Sequence, residues 1–246
     1  GGICMLITSL NNDHVKELAK LKEKKYRDSV NAFLVEGEHL VLEAYKAGLI
    51  KELILEKDRL FPINVPTTYV TNDIIHKISC LESPSDVMAV VSKKEEDNIG
   101  EKILILDDIQ DPGNLGTIIR SAVAFGIDTL VLSPNTVDLY NPKVIRSTQG
   151  MIFHLNIIIR PLNEFIENLK KDNYKILGTK VTSGIDVKDS KTYSHFALIM
   201  GNEGSGVKEE ILDSCDECLY IKMNEECESL NVGVATSILL YELYNR

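Results

Sequence analysis

Three polar clusters in this chain each follow a short apolar run. The first follows Ile103-Leu104-Ile105-Leu106 and reads Asp107-Asp108-Ile109-Gln110-Asp111-Pro112-Gly113-Asn114, with Arg120 six residues on. Such a run suits a strand buried on both faces. Asp111-Pro112-Gly113-Asn114 is turn chemistry, and Asn114 can cap the helix that follows. In that helix Leu115, Ile118, Ile119, Ala122 and Gly126 share one face, while Thr117, Arg120 and Ala124 share the other. An amide and a guanidinium therefore stand at the carboxyl end of a buried strand, where open α/β sheets bind ligands. With a pKa above ~12, Arg120 is suited to anchoring phosphate or steadying a developing negative charge rather than to taking a proton. The second cluster is Gly201-Asn202-Glu203-Gly204-Ser205-Gly206. Its glycines allow close backbone approach to a ligand, and without a Lys-Ser/Thr pair it does not read as a triphosphate loop. The third is Tyr220-Ile221-Lys222-Met223, then Glu228-Ser229-Leu230-Asn231-Val232, with Ser229 and Asn231 at the mouth of the last helix. Capping alone also explains Asn114, Ser229 and Asn231, and a cap can serve chemistry as well.

These clusters need a scaffold, and the periodicity supplies one. Strands read at 103–107, 129–132, 155–159, 175–179, 196–200 and 218–222, and helices at 115–125, 142–149, 162–171, 207–214 and 231–244. Strand–helix alternation of this kind means a parallel sheet covered on both faces. Ahead of it, a helix reads over 11–28, then strands at Phe33–Val35, Ile50–Leu55, Thr67–Val70 and Val87–Val91, with helices from His39 to Ala47 and from Asn72 to Ile78. This is a small α/β domain. Lys93–Lys102 is charged and poor in apolar residues, so it is the natural linker. The expected division is 5–97 and 98–246. In Asn141-Pro142-Lys143-Val144-Ile145-Arg146-Ser147-Thr148-Gln149-Gly150, a cap, a first-turn proline and a terminal glycine define a helix. From Val232 to Tyr244 only Glu242 is charged. A helix apolar nearly all round must be covered on most sides, so a second chain is expected against it.

In order and content the three clusters resemble the motifs of the SpoU (TrmH-type) class of SPOUT methyltransferases, over about residues 103–244. The resemblance implies a catalytic SPOUT domain with a C-terminal trefoil knot. It also implies transfer of a methyl group from S-adenosylmethionine to a ribose 2'-hydroxyl of RNA. Onto this chain it carries Asn114, Arg120, Glu203, Ser229 and Asn231 as active-site residues. Gly201, Ile221, Met223 and Leu230, with Thr179, then fall at the cofactor. It further implies an obligate homodimer whose active site is completed across the interface. Lys25-Tyr26-Arg27 followed by Phe33-Leu34-Val35-Glu36-Gly37 is similar to the N-terminal RNA-binding domain of many relatives, which resembles small ribosomal proteins. Lys25, Arg27, Lys143 and Arg146 are the expected RNA contacts. The chain departs from the family in two places. Ser83-Pro84-Ser85 stands where relatives carry Pro-Gln-Gly, and Lys222 stands where they carry a proline.

Composition limits the alternatives. A net charge of −10 over 246 residues runs against a nucleic-acid binder. Its distribution softens the objection, because residues 203–228 hold nine acids against two lysines, while Lys16, Lys20, Lys22, Lys24, Lys25 and Arg27 cluster near the start, a cluster that a solvated helix face explains equally well. No apolar run is long enough to span a bilayer, and no signal peptide is visible. Gly1–Cys4 read as a cloning remnant, with Met5 the natural start. Five cysteines without framework spacing suit a reduced, cytoplasmic chain. Cys215 and Cys218 form a single CxxC pair that lacks the partners of a zinc site, so no metal is expected. The expected partner is RNA, with ribosomal RNA favoured over transfer RNA. A non-catalytic RNA-binding relative is the rival reading, and a dinucleotide enzyme is disfavoured because GxGxxG is missing after the first strand.

Overall fold

The computed structural model describes residues 5–246, so the reading of Gly1–Cys4 lies outside it. In chain order the first elements are β1 (Met5–Ile7), α1 (Asp13–Lys20), α2 (Lys24–Val30), β2 (Ala32–Glu36), α3 (Glu38–Lys46), β3 (Ile50–Glu56), β4 (Thr67–Val70), α4 (Asn72–Ile78) and β5 (Val87–Ser92). There follow β6 (Lys102–Leu106), α5 (Pro112–Ala124), β7 (Thr129–Leu132), α6 (Pro142–Ser147), β8 (Asn156–Ile159), α7 (Leu162–Lys171) and β9 (Lys175–Thr179). Last come β10 (Ile185–Asp186), β11 (Phe196–Met200), α8 (Glu209–Asp213), β12 (Glu217–Tyr220) and α9 (Val232–Tyr244).

The chain forms two compact units, and a single cut does not separate them. One holds the chain through Glu95 together with Tyr140–Phe153; the other holds Glu96–Leu139 and His154–Arg246. The segment carrying α6, Lys143 and Arg146 thus belongs with the N-terminal residues rather than with the strands on either side of it. There Phe33 packs on Tyr140, with centroids 4.7 Å apart, and on Phe153, at 6.2 Å. The sheet of this unit runs β1-β4-β3-β5-β2. Its pairs are parallel from β1 to β3 and antiparallel from β3 to β2. Its core gathers Val15, Leu18, Ile54, Ile74, Ile78 and Met88.

The apolar stripe predicts one helix over 11–28, whereas the structure has two, separated at 21–23. Arg27 explains the break. It is 4% exposed, and its guanidinium donates to the carbonyls of Leu21 (2.9 Å) and Lys22 (2.8 Å) at the end of α1. Carbonyls left over at a helix end need such partners. This corrects the expectation for Arg27: it is an internal clasp, with no face to offer RNA. Much of the basic cluster is likewise spoken for. Lys22 donates to the Lys77 carbonyl at 2.8 Å. Lys24 and Lys93 each donate to Asp28 at 2.7 Å, and these hydrogen bonds lower its pKa to about 2. Lys25 and Lys143 remain exposed, and Arg146 is half-buried.

The second unit is one parallel sheet of seven strands, β10-β12-β9-β11-β6-β7-β8. Ile103, Leu104, Ile105 and Leu106 are fully buried in β6, as expected for a strand covered on both faces. β6 and β11 lie side by side, pairing Leu106 with Met200. The first two polar clusters therefore leave the sheet next to each other. Helix α9 lies against α5. A Cβ at Gly233 would stand 3.1 Å from the Thr117 side chain, and the Ser121 and Ser237 hydroxyls meet at 2.6 Å.

Candidate active site

The sequence suggests Asn114 as a helix cap, but the structure places the helix start three residues earlier. Asp111 is the N-cap of α5, its side chain accepts from the Asn114 backbone N–H at 2.8 Å, and Pro112 opens the first turn. Asp followed by Pro at the first helical position was the signal for this. With the cap filled, the Asn114 side chain is free for other work. Its Nδ2 donates to Glu203 Oε1 at 3.3 Å, and its Oδ1 accepts from Asn231 Nδ2 at 2.9 Å. Asn231 is itself the N-cap of α9, accepting from the backbone of Gly233 (2.9 Å) and Val234 (3.2 Å). One residue from each of the three clusters thus joins a single chain of hydrogen bonds, Glu203–Asn114–Asn231, across as many as 117 residues of sequence.

Glu203 is the most heavily bonded member. Oε1 accepts from the backbone N–H of Asp111 (2.8 Å) and Gln110 (3.0 Å) as well as from Asn114. Oε2 accepts from Gln110 N (3.1 Å) and Asn202 Nδ2 (3.4 Å). Partial burial pushes its pKa up. The backbone donors, led by Asp111, and the Asn114 amide outweigh that effect and hold the carboxyl below the usual glutamate range. Glu203 is therefore an anion whose lone pairs are engaged. That suits it to ordering the loops and unfits it as a proton acceptor.

The loop that carries Glu203 is closed on itself. Asn202 N donates to Gly206 O at 3.1 Å and Gly206 N returns a bond to Asn202 O at 2.9 Å. The Asn202 side chain accepts from the N–H groups of Gly204 (2.9 Å) and Ser205 (3.1 Å) and donates to the Asp108 carbonyl at 2.7 Å. A Cβ on Gly201 would stand 2.1 Å from both Gly206 C and Val207 N. Glycine at 201 is required by the loop's own backbone, apart from any ligand.

These loops border a cavity of about 760 Å³ within the second unit, inside the range of roughly 300–1,000 Å³ usual for small-molecule sites. Thr179, Gly201, Ile221, Met223 and Leu230, the five expected cofactor contacts, all line it, together with Asn114, Glu203, Ser229 and Asn231. The lining combines the apolar side chains of Ile221, Met223, Leu230 and Leu239 with the polar groups of the Gly201–Gly206 loop. That combination fits an adenosine-bearing cofactor. The Thr179 hydroxyl is turned to the Ile199 carbonyl at 2.7 Å. Arg120 stands apart: it is exposed on α5, does not line the cavity, and makes no hydrogen bond or ion pair among the described residues. Among the described residues no three His, Cys, Asp or Glu side chains are grouped to hold a metal ion, and no helix is long and apolar enough to cross a membrane.

Sequence reasoning missed several residues that shape the site. The N–H groups of Gln110 and Asp111 hold Glu203, and Asn202 braces the glycine loop. Asp107, Asp108 and Lys208 form an ion cluster behind that loop. Here Lys208 Nζ lies 2.8 Å from Asp107 Oδ1 and 3.0 Å from Asp108 Oδ2.

Comparison with known proteins accords with this geometry. Residues 101–241 match the SpoU rRNA Methylase family, and residues 12–95 match the MRM3-like substrate binding domain. The chain is 40% identical to the 23S rRNA (guanosine(2553)-2'-O)-methyltransferase RlmP of Bacillus subtilis (strain 168), over 96% of this chain and 98% of that protein. The crystal structure of an AdoMet-bound rRNA methyltransferase from Sinorhizobium meliloti superposes with a TM-score of 0.87 at 28% identity, covering 99% of this chain and 98% of the other. That of the SpoU methyltransferase AviRb from Streptomyces viridochromogenes, in complex with AdoMet, gives 0.84 at 25% identity, covering 96% and 98%. Family matches across both halves and full-length identity at this level make the chain a member of the SpoU rRNA methylase family.

Proposed function

We propose that this protein transfers a methyl group from S-adenosylmethionine to a ribose 2'-hydroxyl in structured RNA, ribosomal RNA before transfer RNA. The observation that carries this reading is the Glu203–Asn114–Asn231 chain at the edge of a partly apolar cavity. The 23S rRNA specificity of the Bacillus subtilis relative supports ribosomal RNA.

When bound, S-adenosylmethionine supplies an electrophilic methyl group for in-line displacement by the ribose oxygen. The protein's part is alignment and charge. Ile221, Met223 and Leu230 grip the adenosine, while the backbone at Gly201 and the side chain of Thr179 border it. Glu203 fixes the first two loops against each other and orients the Asn114 amide. Asn114, Ser229 and Asn231 position the ribose. Arg120 binds the adjacent RNA phosphate and steadies negative charge growing on the 2'-oxygen. Its lack of a partner within the described chain accords with a role completed by RNA and by a second protomer.

The wider assignments belong to the same reading. The unit of residues 5–95 and 140–153, with Lys25, Lys143 and Arg146, selects the RNA, and the unit of residues 96–139 and 154–246 carries out the chemistry, in place of the expected division at 97/98. The C-terminal segment threads as a trefoil knot. The protein is a homodimer through α9 and works in the cytoplasm without a metal. The test is transfer of tritiated methyl groups from S-adenosylmethionine into purified ribosomal and, separately, transfer RNA, with Arg120→Ala alongside. Incorporation into ribosomal RNA, lost in the variant and resistant to alkaline cleavage at the modified site, is expected. Cofactor binding without incorporation into either RNA points to a substrate that needs further context, such as an assembly intermediate, whereas neither incorporation nor cofactor binding leaves the non-catalytic RNA-binding relative.

A further inference from the structure

The glycine loop borders the cavity, and three of the residues that hold its ends, Lys208, Asp107 and Asp108, do not line it. Its first end follows β11, with the Asn202 side chain bonded to the Asp108 carbonyl at 2.7 Å. Its far end is Lys208, just before α8. There the Lys208 backbone N–H donates to Asp107 Oδ2 at 3.0 Å, and its ammonium reaches Asp107 Oδ1 at 2.8 Å and Asp108 Oδ2 at 3.0 Å. Both oxygens of Asp107, which is 1% exposed, are thus taken by one residue. Asp108 is braced in turn. Its backbone lies in the left-handed region at φ 60°, its N–H donates to Ser133 Oγ at 2.8 Å, and the Ser133 hydroxyl donates to its Oδ1 at 2.5 Å. A single dipeptide at the carboxyl end of β6 therefore holds both ends of the loop. The next residues, Gln110 and Asp111, hold Glu203 in the middle.

We propose that the ion pair of Lys208 with Asp107 and Asp108 is a positioning device that keeps the 201–207 loop closed in its cofactor-binding shape. Lys208 thereby sets cofactor affinity without touching the cofactor. A buried carboxylate that loses its cationic partner is strongly destabilising where it stands, and the local remedy is for the loop to move and let water in. The proposal rests on the assignment of the cavity to S-adenosylmethionine.

The test uses the full chain and the variants Lys208→Met, Lys208→Arg and Asp108→Asn. Calorimetric binding of S-adenosylmethionine is measured together with kcat, the KM for cofactor and Tm. Lys208→Met is expected to weaken cofactor binding about tenfold, equivalent to about 1.4 kcal/mol, with the KM for cofactor rising in step. At saturating cofactor, kcat should stay within about twofold of wild type, because the Glu203–Asn114–Asn231 chain is intact. Lys208→Arg restores binding, and Asp108→Asn, which leaves the Asp107 contact, falls between. A Lys208→Met protein with a lower Tm but wild-type affinity overturns the proposal and leaves Lys208 purely structural. A fall in kcat at unchanged affinity overturns it as well. If Lys208→Met does not fold, Lys208→Arg and Asp108→Asn decide: wild-type affinity in Asp108→Asn or no rescue in Lys208→Arg counts against it. Failure of the wild-type protein to bind the cofactor overturns the assignment of the cavity itself, a result distinct from equal binding by wild type and variant.

Discussion

Glu203 shows how an environment selects a role for a residue. A carboxylate beside a reactive hydroxyl invites the role of base, but this one accepts from two backbone N–H groups and two side-chain amides. Replacing it with glutamine removes the charge that strengthens these hydrogen bonds and turns an amide NH₂ toward groups that are themselves donors. Glu203→Gln is expected to lower kcat/KM by about 10–100-fold, measured by methyl incorporation at saturating RNA. The pH dependence of stability is a second readout. The Glu203 carboxyl lies below its ordinary pKa in the folded protein, so its contribution is fully present above the ordinary glutamate range. It is lost as pH falls through the depressed value. The Tm difference between wild type and Glu203→Gln should therefore be flat at neutral pH and shrink only in acid. A difference that shrinks near neutrality would place a different group in control.

At the scale of elements, the 201–206 loop separates two kinds of glycine. A Cβ at Gly201 collides with the backbone of Gly206 and Val207, whereas one at Gly204 meets only Asn202 Oδ1 at 3.5 Å, ordinary contact distance. Backbone on the closed side of a loop cannot yield as a flexible side chain can. Gly201→Ala is accordingly expected to abolish detectable cofactor binding, a loss of about a hundredfold or more, and Gly204→Ala to stay within about twofold of wild type. Calorimetric titration of both variants checks this, and equal behaviour of the two would contradict the closed-loop account. Helix α5 presents a comparable division of faces. Leu115, Ile118, Ile119 and Ala122 are buried, while Asn114 turns toward the cavity and Arg120 toward solvent.

At the scale of the whole molecule, helix α9 buries Gly233, Thr236, Leu239 and Leu240. Its other side exposes Val234 (47%), Ile238 (36%), Tyr241 (54%) and Tyr244 (52%), with Tyr241 and Tyr244 packed against Phe125. Val234, Ile238 and Tyr241 at i, i+4 and i+7 make a continuous apolar stripe. A contiguous patch of this kind marks an interaction surface, and a second copy of the helix is the occupant assigned under the proposed function. Ile238→Asp is expected to turn a dimer into a monomer at micromolar concentration, read by light scattering after size exclusion. Monomeric wild-type protein would remove the second protomer from the active-site account.

The sequence by itself determined the local elements and the three clusters. Strands such as Ile103–Leu106 and helices such as Leu162–Lys171 announce themselves through near-neighbour periodicity, and caps and glycine turns act over three or four residues. Small inaccuracies came from local signals that were outweighed by the apolar pattern or too short to read. Asp111-Pro112 starts α5 earlier than the apolar pattern does, and the three-residue β1 is too short to carry a pattern. What only the tertiary structure decided involves partners far apart in sequence. Asn114 lies 89 residues from Glu203 and 117 from Asn231, and Lys208 lies 101 from Asp107. Their meeting depends on β6 pairing with β11 and on α9 lying against α5, which no local pattern encodes. For the same reason Arg27 read as a surface cation and proved a buried clasp, and Tyr140–Phe153 joined the N-terminal unit. A side chain's charge and period are properties of the chain, whereas its burial and its partners are properties of the fold.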